Sequence, residues 1–585
     1  MNFKLMKRLA LQLLIAIACV GFGRAAFRAA SSQTALSKYV PAGPLLYLEA
    51  KDFSSLLGDW NASPQKRDWL KSDNYEVFSR SRLFLRLKAA GDQFTAAAGL
   101  PPNMDLLSQV AGQHSVLAIY DIGKLQFLYV TYLPSVRSMQ TTLWQTRAKF
   151  EPRNAGGVDF YLRRDPESQR EVAFAISGDY LLLATREDLM AGALQLIAGQ
   201  QDRTVENDSW WAASTAASGE PGDLRMALNL QTLVPNGYFR TYWIQQNITD
   251  LSQYSAAVSD LFRAGKEYRE ERVLIRKKDA TNAVSADGMA AVADLSRLVP
   301  DHVGLYATAA NPTADACFTL LESKLLAPHL GPAPVSKVAP QVQLTSGEQG
   351  SASDLETRID QAPAAPSDAP QSGAELKGLL GKHPILASLQ VQSSRVQSSQ
   401  VQSKEVQPSE KDQGGVFVTI HSAVVLAAAS DWDGAATQAA LAEFVRPGIT
   451  ASSLGVNWVA RSGYQQLDGL WPLAVSVHGK YLLVSDDATL MESLLGNFSK
   501  KPDRTPAELL AGFNHDRERT NFARFMKMVD QPSAIYGESG SHPPLFLSGN
   551  IASLSETLAG VSRESVEVRS DEGRVRQTVT YEWSR

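Results

Sequence analysis

The sequence predicts an α+β protein: a tandem duplication of one mixed α/β unit with antiparallel sheets, plus an N-terminal apolar helix and a disordered insert. Three observations lead there. Two sequence blocks recur in the same order, short strand-like runs alternate with helical stripes, and one long internal stretch lacks the residues that build a core.

The recurrence comes first, because internal similarity sets the architecture before any motif is read. Val40-Pro41-Ala42-Gly43-Pro44-Leu45-Leu46-Tyr47 returns as Val299-Pro300-Asp301-His302-Val303-Gly304-Leu305-Tyr306, 259 residues later. Gly178-Asp179-Tyr180-Leu181-Leu182-Leu183 returns as Gly479-Lys480-Tyr481-Leu482-Leu483-Val484, 301 residues later, and the match continues through Leu189-Met190 against Leu490-Met491. The second copy is therefore 42 residues longer between its blocks. Expected boundaries are 1–31 for a signal or membrane anchor, 39–297 for the first copy and 298–585 for the second.

The extra length has a source at 331–415. From Gly331 to Gly415 the chain is rich in Pro, Ala, Ser and Gln, and no aromatic residue occurs between Phe318 and Phe417. It ends in a tandem pentamer, Val391-Gln392-Ser393-Ser394-Arg395, followed by Val396 to Gln400, Val401 to Glu405 and Val406 to Glu410. Such a composition buries too little apolar surface to offset chain entropy, so the insert is expected to be disordered. Leu376 to Leu389 is the exception, a short packed element built on Leu379, Leu380, Ile385 and Leu386.

Each copy reads the same way. A Val-Pro step favours extended backbone and leads into a strand ending at Tyr47 or Tyr306. The Gly-x-Tyr-Leu-Leu block gives a turn, a buried strand and then a helix. Leu189, Met190, Ala193, Leu194 and Ile197 share one helical face, as do Leu490, Met491, Leu494 and Leu495, with Gly496 placed to end the second helix. Asp188 and Thr489 stand at the helix starts, as caps or first-turn residues. Further strands are expected at Val116–Tyr120, Phe127–Leu133, Val172–Ile176, Met226–Leu230, Val416–Ile420, Val424–Ala428 and Leu473–Val477. Leu251, Tyr254, Val258, Leu261 and Phe262 fit an amphipathic helix, and the charge-rich Arg263 to Lys278 stretch a solvated face. Val566 and Val568, the turn Asp571-Glu572-Gly573, then Val575, Val579, Tyr581 and Trp583 predict a hairpin with one wet face.

At 585 residues the chain is too long for one core, and 44% hydrophobic with 20% charged residues is ordinary globular composition. The net charge of −4 lacks the basic excess of nucleic-acid binders, so no nucleic-acid partner is expected. Lys4, Lys7 and Arg8 precede an apolar run from Leu9 to Gly23, the layout of an export signal. Three fates are open: cleavage after Ala25, lipidation at Cys19, or retention as a transmembrane helix, which would need about 20 residues. Export and a membrane attachment through this segment place the body outside the cytoplasm, in the cell envelope. Of the two cysteines, Cys317 alone lies in the body; beside Phe318, Leu320 and Leu321 it reads as a buried apolar residue.

The search for chemistry assigns no catalytic, cofactor or metal residue. Gly378-Leu379-Leu380-Gly381-Lys382-His383 has the wrong spacing for a phosphate loop and lacks the hydroxyl that binds magnesium. Gly537-Glu538-Ser539-Gly540, before Ser541-His542, lacks the glycine spacing of a nucleophile elbow. The eight histidines form no His-Glu-x-x-His pair. Asp486-Asp487 and Asn514-His515-Asp516 read as the first turn of a helix and a loop, and Asp431-Trp432-Asp433, though suggestive of sugar binding, as a turn. Arg80, Arg82, Arg86 and Lys88, set around Leu83, Phe84, Leu85 and Leu87, fit either a surface for anionic lipid or a core-facing helix with a solvated basic side.

The Val-Pro-x-x-x-x-Leu-Tyr opening after an export signal, with the later Gly-x-Tyr-Leu-Leu block and helix, resembles a family of bacterial exported proteins, domain of unknown function 3352. The resemblance covers both copies, implies no activity and carries over no functional residue. The expected function is a tethered envelope protein that binds or scaffolds an envelope protein or glycan. The alternative is an envelope hydrolase acting on a glycan or peptide.

Overall fold

A computed structural model describes residues 35–240, 251–277, 284–326, 373–398, 416–450, 457–468, 473–502, 504–518, 560–571 and 573–583. The expected apolar helix with Cys19, most of the insert and the Gly537–His542 segment lie outside the described residues. No described helix is long and apolar enough to cross a membrane.

The protein is α+β, with its strands paired antiparallel. The chain opens on β1 (Leu46–Ala50) and then four consecutive helices: α1 (Phe53–Ala62), α2 (Pro64–Lys71), α3 (Asp73–Ser79) and α4 (Arg82–Ala98). Each start is punctuated by sequence. Asp52 accepts from Ser55 N–H at 3.0 Å, Ser63 caps α2 just before Pro64, and Ser81 caps α4, which ends at Gly99 in the left-handed region. After α5 (Met104–Val110) come β2 (Ser115–Asp121), β3 (Gln126–Tyr132), β4 (Glu151–Ala155), β5 (Val158–Arg164), β6 (Glu171–Ser177) and β7 (Tyr180–Ala184). Helices α6 (Glu187–Ile197) and α7 (Ser209–Ala217) follow, then β8 (Leu224–Leu228), β9 (Tyr254–Ala264) and β10 (Glu267–Arg276).

Next are α8 (Ala286–Ser296), β11 (Leu305–Ala310), α9 (Ala314–Leu321), α10 (Ala374–Lys382), β12 (Ile385–Ser398), β13 (Val416–Ala428) and α11 (Gly434–Thr450). Then come β14 (Asn457–Ala460), β15 (Gln465–Asp468), β16 (Ala474–His478), β17 (Tyr481–Ser485) and α12 (Ala488–Gly496). The C-terminal strands are β18 (Leu509–Asn514), β19 (Val561–Asp571) and β20 (Arg574–Trp583).

Two compact units result. The first holds the chain through Val284, Ser394–Thr419 and Ala507–Arg585; the second holds Ser285–Ser393 and Ile420–Pro506. In the first, the strands run β4-β5-β6-β7-β3-β2-β1-β8-β9-β10-β20-β19-β18. Helices cover both faces of its β2–β7 part. Leu182 and Ala184 face a core with Met190 and Leu194 of α6, while Leu181 and Leu183 face a second core with Phe94, Ala97, Leu106 and Phe174. Burial on both sides explains why β7 is a continuous apolar run. In the second unit, Leu482 and Val484 join Val424, Leu426, Phe318, Leu380 and Phe444 in one core, where Cys317 is buried and its thiol is pushed up to about 12 by desolvation.

Several expectations need correction. Leu251 to Phe262 is not a helix: residues from Tyr254 are strand β9, held between β8 and β10 with Ala256 and Val258 buried. Pairing on both edges overrides a helical spacing. Arg263 to Lys278 is not just a solvated face, since β10 buries Tyr268 and Val273. The two strands expected between Val416 and Ala428 are one. Within the insert, residues 374–398 form α10 and β12, so order extends past Leu389 into the first Gln/Ser pentamer. Ile385, Ala387, Leu389 and Val391 alternate on one buried face there, which gives the strand its apolar surface. The C-terminal hairpin has the expected wet face, carrying Arg563, Glu567, Arg569, Arg574, Arg576 and Glu582.

One glycine is fixed by close approach. A Cβ on Gly112 would lie 2.1 Å from Tyr132 O and 2.2 Å from Thr131 Oγ1, and both contacts belong to a paired strand. Gly112→Ala is expected to destabilise the first unit by about 1–3 kcal/mol, read from its thermal transition.

Candidate functional site

In each unit the second recurring block packs against the segment that leads into the first. In the first unit, Tyr180 of the Gly-x-Tyr block lies 5.2 Å edge-on to Tyr39, just before Val40-Pro41, and 6.0 Å from Tyr132. In the second, Tyr481 donates its hydroxyl to Asp294 of α8, just before Val299-Pro300. Arg297 Nε donates to Asp294 Oδ1 at 2.8 Å and its guanidinium sits 5.3 Å over Phe498. The glycines supply the turn, at φ +56° for Gly178 and +57° for Gly479, where an L side chain is strained. Burial and the Asp294 carboxylate raise the Tyr481 phenol above its ordinary value. Tyr481→Phe leaves a carboxylate short of a donor and is expected to cost the second unit about 1.5–3 kcal/mol in urea unfolding.

The groups best suited to chemistry gather at the start of α12. Asp486 is buried and accepts Ser422 N–H at 2.7 Å. Asp487 caps the helix, accepting Leu490 N–H at 2.7 Å. His421 Nδ1 lies 3.6 Å from Asp487 Oδ2 and 3.9 Å from Asp486 Oδ1, too long for hydrogen bonds but close enough for charge to act. Desolvation raises the Asp486 carboxyl to about 7, against the lowering effect of the Ser422 N–H, and the neighbouring Asp487 charge adds to the rise. Asp486 can thus hold or release a proton near neutrality. Ser485 does not complete a nucleophile pair, since its hydroxyl donates to Ser422 O and Asp487 O, both at 3.0 Å.

The sequence named Asp486-Asp487 as a helix start but gave no sign of His421 beside it, because the pair comes together only when β13 lies against β17. Asp487, not Thr489, caps the second helix; Asp188 sits in the first turn of α6 and binds Arg186 at 2.9 Å. Trp432 is buried against His383, 4.3 Å away, and donates its indole N–H to Lys480 O, so it offers no sugar platform. Gly378 and Gly381 lie within α10. His515 packs 3.7 Å from the buried Glu564. Among the described residues, no group of three or more His, Cys, Asp or Glu side chains is placed to hold a metal ion.

The chain matches no family model, and no curated protein matches it. Three solved structures share a faint likeness, crystal forms III, I and IV of TP0453, each at 11% identity. They cover 43%, 43% and 41% of this chain and 84%, 82% and 79% of their own, with TM-scores of 0.22, 0.24 and 0.21. At those scores the likeness carries no argument.

Proposed function

We propose that this is an exported, membrane-tethered envelope protein, a duplicated module that binds or scaffolds a protein or glycan of the cell envelope. The observation that carries the reading is the use made of the recurring residues, whose tyrosines pack and whose glycines turn the chain in both units. The export signal supports the location, and the acidic balance disfavours a nucleic-acid partner. The resemblance to the domain of unknown function 3352 proteins stands as part of the same proposal.

The duplication is supported register by register. Leu128↔Ala184 to Tyr132↔Tyr180 in β3–β7 corresponds to Ala423↔Ser485 to Ala427↔Tyr481 in β13–β17. Ser177↔Tyr180 corresponds to His478↔Tyr481. A side-chain bond repeats as well: Thr185 Oγ1 accepts Phe127 N–H at 2.8 Å where Asp486 accepts Ser422 N–H.

That last pair favours one second reading. A threonine in the first copy is a proton-holding carboxyl in the second, beside His421, as a hydrolase acid would require. The test joins fractionation to assay. The full chain should stay with membranes after a salt wash and be cut by protease added outside the inner membrane; recovery as a protected cytoplasmic protein overturns the tethered reading. Turnover of peptidoglycan or peptide that Asp486→Asn abolishes would replace binding with hydrolysis.

A further inference from the structure

Two arginines in the first unit converge on one turn, where the Asp121 carboxylate at the end of β2 stands against them. Arg86 of α4 donates through Nη2 to Gly123 O at 2.7 Å, and Arg170, from the β5–β6 loop, donates to Lys124 O and, at 2.6 Å, to Gln93 Oε1. Gly123 and Lys124 are successive residues of the β2–β3 turn, so the two guanidiniums are neighbours. Neither forms an ion pair among the described residues, and Arg86 Nε is buried without an acceptor. The Asp121 carboxylate acts on Arg170 in the opposite sense to Arg86, and its Oδ1 also accepts Lys124 N–H at 2.9 Å. Burial and the Arg86 charge lower the Arg170 guanidinium from its ordinary value, as expected for like charges held together.

The turn is built for this. Leu125 takes φ +47°, a left-handed conformation that bulky residues adopt at a cost. A Cβ on Gly123 would lie 2.8 Å from the Tyr238 ring, and that ring lies 5.6 Å from the Arg86 guanidinium. Gly123 thus lets Tyr238, Arg86 and the turn pack together. The exposed Lys124 adds a third cation at the rim. With the Asp121 carboxylate counted against them, the two guanidiniums and Lys124 still leave an excess of positive charge, and the planar N–H forks suit the oxygens of a tetrahedral anion.

We propose that Arg86 and Arg170 form a binding site for a phosphate group, free or carried by a phosphate ester. The chemistry is common to inorganic phosphate, glycerol phosphate and the headgroup of an anionic phospholipid, and the test separates them. Calorimetric titration of the full chain uses inorganic phosphate and glycerol phosphate. Co-sedimentation compares vesicles of phosphatidylglycerol and phosphatidylcholine with phosphatidylcholine alone. Saturable binding to at least one probe is expected, weakened about tenfold or more by Arg86→Gln and by Arg170→Gln. Arg137→Gln, at an exposed position elsewhere in the same unit, should leave it unchanged.

Binding confined to the soluble anions assigns a free ligand. Binding confined to phosphatidylglycerol vesicles and lost in both variants assigns the headgroup. Because these arginines also brace a turn, the melting temperature of the unaltered chain gives a measure free of folding defects: phosphate should raise it above chloride at equal ionic strength. The proposal is overturned if no probe binds and phosphate leaves the melting temperature unmoved. It is equally overturned if binding survives both substitutions.

Discussion

Replacing Asp260 with alanine is expected to destabilise the first unit by about 3–5 kcal/mol, the largest single effect in the body. Asp260 on β9 faces Arg225 on β8, and the two meet in a fork: Nε to Oδ1 at 2.7 Å and Nη2 to Oδ2 at 2.8 Å. Their side chains are 4% and 6% exposed, so water cannot take over if one partner leaves. The remaining valences are filled locally. Asp260 Oδ1 also accepts Gly222 N–H at 3.1 Å, while Arg225 Nη2 reaches Gly219 O at 2.8 Å and Ser218 Oγ at 3.1 Å.

The pair therefore holds the loop between α7 and β8 as well as neutralising itself. Asp260→Ala leaves a buried guanidinium without its anion and frees that loop. Arg225→Met with Asp260→Leu removes both charges and should recover most of the loss, since the desolvation of the pair is avoided. Urea unfolding followed by tryptophan fluorescence reports it through Trp210 and Trp211, which are buried in this unit. A loss below about 1 kcal/mol would mean that water reaches the site.

Asp486 predicts a pH effect of comparable size and opposite chemistry. Its folded carboxyl titrates near 7 against 3.8 in a free chain, so between those values the folded protein holds a proton that the unfolded chain has released. Stability from this group is complete below the unfolded value and falls as pH rises toward 7, by about 1.4 kcal/mol per unit, and about 4 kcal/mol is the upper bound. Asp486→Asn keeps an acceptor for Ser422 N–H but cannot ionise. Asp486→Thr copies Thr185. Both variants are expected to match the unaltered chain near pH 4 and to exceed it at pH 8, by roughly 2–4 kcal/mol for asparagine. The difference between variant and unaltered chain is the quantity to measure, because other carboxylates shift the absolute curves. A difference independent of pH would place the Asp486 titration outside this range.

Much of the fold is legible because its signals are local. The run Leu181-Leu182-Leu183 marks a strand buried on both faces, Gly178 and Gly479 mark turns that need positive φ, and Asp571-Glu572-Gly573 marks a hairpin whose strands then alternate. The misread elements are those decided at a distance. Leu251, Tyr254, Val258 and Leu261 carry a helical spacing, and the pairing with β8 and β10 overrides it. Val391 opens a repeat of disordered composition yet extends the alternation of Ile385, Ala387 and Leu389.

The site residues follow the same rule. Asp486 acquires its environment from Ser422 and His421, some 64 residues earlier. Arg86 and Arg170 meet only because α4 and the β5–β6 loop both reach the β2–β3 turn. Asp260 is one charge in a charged stretch until β9 pairs with β8. No pattern within a window of sequence separates these from ordinary surface residues.

We propose one unit that occurs twice, alike in backbone and different at Asp486. A crystal structure of residues 32–585, with the β3–β7 segment superposed on the β13–β17 segment, tests it most directly. Phe127 and Ser422 are expected to occupy equivalent positions, with Thr185 and Asp486 accepting their backbone N–H groups. A register shift of even one residue between the two pairings would turn opposite faces to the cores, and the duplication with every argument built on Asp486 as the altered copy of Thr185 would fall.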